Sequence, residues 1–249
     1  MIVALPGHTE NLPAGTTNIP SGISLVGIGY GNNRPQFKWA ANANTQVNSN
    51  GAGIQIQNCI FDLTQIASVT LGFLIAHSGF SFISNRIIQA SATNQATQAI
   101  KLAAGADDFT FVNNDLDAAA AAGASIGIGQ LTANAINRLY LYNNSIHGDF
   151  STAPINLLTT TNKEMEIENN VIKQLNAATK PCLIFATGNN LTGLVVYNTM
   201  FSVAAAAHTD FITNGGGTGM GYAQNFGTGA TGGMNAKSAI LIPDGGAIP

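Results

Sequence analysis

The sequence predicts an all-β chain wound as a right-handed parallel β-helix, a solenoid of about eight coils with an asparagine ladder at one turn. Three observations predict it. A short motif recurs along the 249 residues at intervals of 26 to 31, apolar residues alternate with period two inside each copy, and each copy ends on Asn or an Asn-like residue. Self-similarity at such a period marks a repeat architecture. Period-two alternation puts every second side chain on one face of a strand, which helical spacing does not do.

The clearest copies are Ile54-Gln55-Ile56-Gln57-Asn58-Cys59-Ile60-Phe61, Phe80-Ser81-Phe82-Ile83-Ser84-Asn85-Arg86-Ile87 and Phe109-Thr110-Phe111-Val112-Asn113-Asn114-Asp115-Leu116. They continue as Leu139-Tyr140-Leu141-Tyr142-Asn143-Asn144-Ser145-Ile146, Met165-Glu166-Ile167-Glu168-Asn169-Asn170-Val171-Ile172 and Leu194-Val195-Val196-Tyr197-Asn198-Thr199-Met200-Phe201. Weaker copies lie at residues 23–27 and 220–225. The first Asn-like positions are then 27, 58, 84, 113, 143, 169, 198 and 224. A second strand-like run accompanies most units, as at Gly72-Phe73-Leu74-Ile75-Ala76, Ala99-Ile100-Lys101-Leu102-Ala103 and Ser238-Ala239-Ile240-Leu241-Ile242. With the apolar segment after the Asn turn, each coil has about three strands.

Asn at the bend has a physical reason: it tolerates left-handed backbone angles and its amide bonds locally. Stacked at the inter-strand spacing of about 4.8 Å, the Asn side chains form a ladder. Its members are Asn58, Asn85, Asn113, Asn114, Asn143, Asn144, Asn169, Asn170, Asn198 and Asn225. The residues two apart before the turn, from Ile54 and Ile56 to Leu194 and Val196, are expected to face a dry core. Residues 1–22 read as an N-terminal first coil or cap, residues 23–213 as the repeats, and residues 214–249, with eleven of the 28 glycines, as a final coil and tail.

Only 8% of residues are charged and the net charge is −3, which leaves no basic footprint for a phosphate backbone, so nucleic acid is not an expected partner. A hydrophobic fraction of 45% argues against disorder. The N-terminal residues have no basic region before a long apolar run, so neither a cleaved leader nor a membrane span is expected.

Outward positions just before the Asn turn carry Val26, Gln57, Ile83, Val112, Tyr142, Glu168, Tyr197 and Ala223, with Tyr140 and Val195 nearby. Apolar residues dominate there, and contiguous exposed apolar surface marks contacts, with Tyr favoured for its amphipathic ring. Val26, Ile83, Val112, Tyr140, Tyr142, Val195 and Tyr197 therefore form the expected oligomer interface; cover by the chain's own loops and sugar stacking are the alternatives.

The expected site chemistry is sparse. Asp107-Asp108 are adjacent and point to opposite faces of an extended chain, as in a solvated turn. Glu164, Glu166 and Glu168 project outward from one strand, positioned for a cation, a basic partner or plain solvent. The register sets Arg86 beside Asp115 and stacks Asp117, His147 and Lys173, so that any catalytic set consists of Asp117, His147 and Asp115, with His147 as base; exposed ion pairs explain the same residues. His8, His77 and His208 share no spacing with acidic or Cys partners, so no metal and no cofactor is expected. Cys59 and Cys182 lie four coils apart, too far for a disulfide, and are expected to be reduced.

Over roughly residues 1–245 the repeating Asn motif resembles the pectin-lyase-like right-handed β-helix superfamily. The opening Val3-Ala4-Leu5-Pro6-Gly7-His8-Thr9-Glu10, followed by Gly22-Ile23-Ser24-Leu25-Val26-Gly27-Ile28-Gly29, is similar to small β-helix proteins of tailed bacteriophages. The resemblance implies a particle-associated structural role and a homotrimer. Enzymes of the superfamily are mostly polysaccharide lyases and glycosidases, whose acidic clusters have no convincing copy here. The expected function is thus a non-enzymatic virion component, assembled in the host cytoplasm, which decorates a capsid and contacts the major capsid protein or another virion protein. A carbohydrate-binding or polysaccharide-degrading β-helix that engages surface glycans is the alternative.

Overall fold

A computed structural model describes residues 1–67, 69–118, 124–130, 135–159, 161–178, 180–186, 191–203, 211–213 and 219–229. Tail residues 214–218 and 230–249, which include the predicted run at residues 238–242, and His208 lie outside these. Each coil contributes one strand to each of three parallel sheets. The first sheet stacks nine strands, from Ile2–Ala4 through Tyr140–Tyr142 to Gly219–Ala223; the second stacks nine, from Thr9–Asn11 through Asp115–Ala118 to Phe226–Gly229. The third has eight, from Thr16–Pro20 to Ile212–Thr213, and includes the runs foreseen around Phe73 and Ile100, as Val69–Ile75 and Ala96–Leu102. No α-helix occurs among the described residues, and hence none long and apolar enough to cross a membrane. The three strands within residues 1–22 pair in register with the next coil, Val3 beside Val26 and Ile19 beside Ser49.

The alternation in the sequence becomes the division between inside and outside. Ile56, Phe82, Phe111, Leu141, Ile167 and Val195 stack inward from the first sheet and are buried. Trp39, Phe61, Phe73 and Phe82 interlock edge to face, with centroids 4.9 to 6.4 Å apart, and carry the core across all three sheets. Such pairs are worth about 0.5–1.5 kcal/mol beyond the area they bury.

The asparagines form two rows with different duties. The outer row sits at the bend itself with φ between 51° and 57°: Asn58, Ser84, Asn113, Asn143, Asn169, Tyr197 and Gln224. Along it the exposed amides of Asn143 and Asn169 donate to Asn113 and Asn143, while Asn58 donates to the carbonyls of Gly27 and Gly29. The inner row is Asn85, Asn114, Asn144, Asn170, Asn198 and Asn225, all buried. Each Oδ1 accepts both the backbone N–H and the Nδ2 of the Asn one coil earlier, as Asn144 does from Asn114 at 2.8 and 3.3 Å. Each Nδ2 also donates to a first-sheet carbonyl, Asn114 to Phe82 and Asn144 to Phe111. The row begins at Cys59, whose N–H donates to Asn85 Oδ1. A bend between sheets strands one N–H and one C=O per coil, and the inner Asn satisfies both.

The register differs from expectation in one coil. Val195 faces the core, opposite Ile167, and Leu194 is half exposed, so Leu194 and Val196 are outward and the marker falls at 197 in place of 198. Tyr197-Asn198 offers a single Asn, as Ser84-Asn85 and Gln224-Asn225 do, and in each pair it goes to the buried inner row. The outer row requires only a left-handed backbone, which Tyr197 adopts. Gly193, φ 148°, absorbs the shift opposite Met165; a Cβ there would lie 2.1 Å from the Met165 carbonyl oxygen. A one-residue slip exchanges every inward and outward side chain.

The two rows predict different sensitivities. Asn144→Leu strands the buried N–H of Asn114 and removes the side-chain donor to the Phe111 carbonyl, while Asn170 Oδ1 keeps the backbone N–H of residue 144; it is expected to destabilise by about 3 kcal/mol, at about 1–3 kcal/mol per affected group. Asn143→Gly, which keeps the left-handed bend, is expected to change stability by less than about 1 kcal/mol. Denaturant unfolding followed by circular dichroism checks both; equal effects would contradict the assignment of the rows.

Candidate functional site

The second sheet turns its charged residues outward, and its register brings them together. Arg86 lies beside Asp115, and Ile88, Asp117, His147 and Lys173 follow one another on successive coils. Arg86 Nε is 3.4 Å from Asp115 Oδ2 and its Nη2 is 3.0 Å from Asp117 Oδ2. His147 Nε2 is 3.3 Å from Asp115 Oδ1, and Nδ1 is 3.8 Å from Asp117 Oδ1. All three residues of the expected catalytic set therefore meet, as the alternation predicted, with Arg86 as a fourth member.

Their electrostatics suit a staple better than a base. His147 is raised above the ordinary histidine value by its hydrogen bond to Asp115, against burial, with attraction to Asp117 adding and Lys173 opposing. Burial works to raise Asp115, but the His147 hydrogen bond and the nearby charges of His147, Arg86 and Arg34 outweigh it and hold the carboxyl low. Nε2 is engaged by Asp115 and Nδ1 faces Asp117, so loss of a proton from the ring is disfavoured, which suits a general base poorly. Asp115 and Asp117 are joined through Arg86 and His147, and these cations occupy the position that a glycosidase leaves for sugar and water.

The outward positions of the first sheet form the second candidate. Val26, Gln57, Ile83, Val112, Tyr142, Glu168, Val196 and Ala223 follow in register. Val26, Ile83, Val112, Tyr140 and Tyr142 of the expected interface thus share one outward face and are partly exposed. Val195 does not: it is core, and Val196 takes its place. Tyr197 lies at the exposed bend rather than in the strand row. Tyr140 and Tyr142 stand parallel, with centroids 5.7 Å apart and planes 7° apart.

Asp107 and Asp108 serve different neighbours: Asp107 Oδ1 accepts from Asn137 N–H and Nδ2, and Asp108 binds Arg138 through both Nε and Nη2. Arg138, Tyr140, Glu164 and Glu166, not expected together from the repeat, also meet. With Leu139 they line an open depression of about 520 Å³. Counting two positions back from Leu141, Ile167 and Phe111 aligns Leu139, Met165 and Phe109, and the charged residues just before them, Arg138, Glu164 and Asp108, stack at a second left-handed turn. That alignment was available in the sequence.

His8 faces Glu10 at 3.5 Å, and His77 Nδ1 lies 3.0 Å from the Ser49 carbonyl. Among the described residues no three His, Cys, Asp or Glu side chains converge to hold a metal ion. Cys59 and Cys182 are buried free thiols, each pushed up to about 12 chiefly by burial, which keeps them unreactive. Comparison with protein-family models, curated proteins and solved structures finds no match to this chain.

The staple should show in the pH dependence of stability. The raised His147 contributes stability that is complete below its unfolded value and lost as pH rises through the folded one. The lowered Asp115 contributes above its unfolded value and is lost as pH falls. His147→Gln is therefore expected to cost most between about pH 4.5 and 6.5, roughly 0.5–1 kcal/mol for these partly exposed groups, and to approach the parent as pH rises through the folded value. Thermal melts across this range check it; a pH-independent difference would count against the ion pairs.

Proposed function

We propose that this protein is a non-enzymatic structural component of a bacteriophage particle, a capsid decoration protein of the pectin-lyase-like β-helix type that assembles as a homotrimer through the outer face of its first sheet. The observation that carries this reading is the apolar ridge of Val26, Ile83, Val112, Tyr142 and Val196, which continues across coils and is interrupted only by Gln57 and Glu168. Exposed apolar rows of this extent are found where another surface covers them. The Asp115, Asp117 and His147 cluster, whose carboxylates are engaged by Arg86 and His147, lends no support to a glycan hydrolase. A rigid rod stabilised by backbone and amide ladders suits a passive role on a particle.

Sedimentation velocity on the purified chain is expected to give a trimer. Replacing Ile83 and Val112 with Lys should give a monomer with an unchanged circular dichroism spectrum, since both side chains point away from the core. Cryo-electron microscopy of particles that carry the protein should then place it on the capsid. A parent chain that stays monomeric at micromolar concentration, or one found on the tail, would refute the corresponding part.

A further inference from the structure

Among the described residues, the side chains that the first sheet turns outward between Ser24 and Ala223 include two carboxylates, Glu166 and Glu168, and no Lys or Arg. The strand register sets Glu166 between Tyr140 and Leu194, and Glu168 between Tyr142 and Val196. Neither carboxylate takes part in a salt bridge among the described residues. Arg138, the cation lining the same depression, has its Nε and Nη2 engaged by Asp108. Negative charge therefore stands uncompensated beside the parallel rings of Tyr140 and Tyr142, at the edge of an open volume of about 520 Å³.

We propose that this depression, at the edge of the first sheet beyond the ridge that the trimer contact covers, is a docking site for an arginine side chain carried on a basic segment of a partner protein; the proposal rests on the reading of the first-sheet face as an interface. A guanidinium is planar, stacks on an aromatic face and donates two parallel hydrogen bonds to a carboxylate. Tyr140 supplies the face, Glu166 the carboxylate, and Glu164 and Glu168 the surrounding negative potential. Leu194, half exposed beside Glu166, provides the apolar contact that the arginine stem needs. A bare metal ion fits less well, because among the described residues no three His, Cys, Asp or Glu side chains converge to hold one. Anionic partners are repelled. In keeping with the acidic surroundings, Tyr140 is raised above the ordinary tyrosine value by burial first, then by the charges of Glu168, Tyr142 and Glu166.

The test is fluorescence anisotropy with a labelled hexa-arginine peptide on the full chain at low salt, beside hexa-lysine, hexa-glutamate and a neutral oligosaccharide. Hexa-arginine is expected to bind, hexa-lysine several-fold more weakly, and the other two not at all. Glu166→Gln should weaken hexa-arginine about tenfold, the loss of one charge-assisted contact, and Tyr140→Ala at least about threefold. Glu10→Gln, at the far end of the rod, should change nothing. Circular dichroism melts establish that the variants are folded; Glu166→Gln keeps the side-chain shape, so it stands as the decisive variant if Tyr140→Ala melts early. Binding undiminished by Glu166→Gln, equal binding of hexa-arginine and hexa-lysine, preference for the oligosaccharide, or no binding up to about 1 mM would overturn the proposal. A trimer that ignores the peptide refutes this site and spares the interface; a monomer that binds it refutes the interface and spares the site.

Discussion

The structure depends on the inner asparagine row. Every coil must turn from the first sheet into the second, and the turn strands a backbone donor and acceptor in the interior. Asn carries two N–H donors and an oxygen with two lone pairs on a short stem, and the row uses them all: one N–H for the carbonyl of the preceding coil, the other for the next amide oxygen, and the oxygen for two donors from below. Because each amide holds the next, the row sets both the spacing and the register of the coils, and hydrogen bonds chained in this way polarise one another.

Everything inward follows from that register. Phe82 lies between Ile56 and Phe111, and Leu141 between Phe111 and Ile167, so the interior is a column of like-sized side chains with no polar interruption from the first sheet. The aromatic share of this column is concentrated between Trp39 and Phe111, and aliphatic residues take over further along. A chain held by amide ladders and an apolar column has little need of ion pairs, which accounts for a charged fraction of 8%.

The few charges are placed with economy. One column, Arg86 to Asp115 and Asp117 to His147, spans consecutive coils of the second sheet; another, Asp108 to Arg138, ties two turns. In both, Arg or His side chains engage the carboxylates. The first sheet is left with an apolar ridge that Glu168 interrupts and, in the neighbouring row, Glu166 beside Tyr140. These properties suit contact with neighbours more than turnover of a substrate.

The repeat, its strand alternation and the asparagine turn were legible from the sequence, because each rests on local chemistry: period two for a strand, Asn for a left-handed bend. The meeting of Asp115, Asp117 and His147 was legible too, since a coil-to-coil register carries neighbours in the repeat to neighbours in space. Tertiary structure alone decided which of the two Asn positions is buried. Three coils carry Asn at both positions, and the choice shows where one is missing: at Cys59, ahead of the start of the inner row, at Ser84 and Gln224, where the lone Asn goes inward, and at Tyr197, where Asn198 does the same and Val195 joins the core. The physical reason is that a left-handed bend is a property of one residue, while an unsatisfied buried carbonyl is a property of the stack.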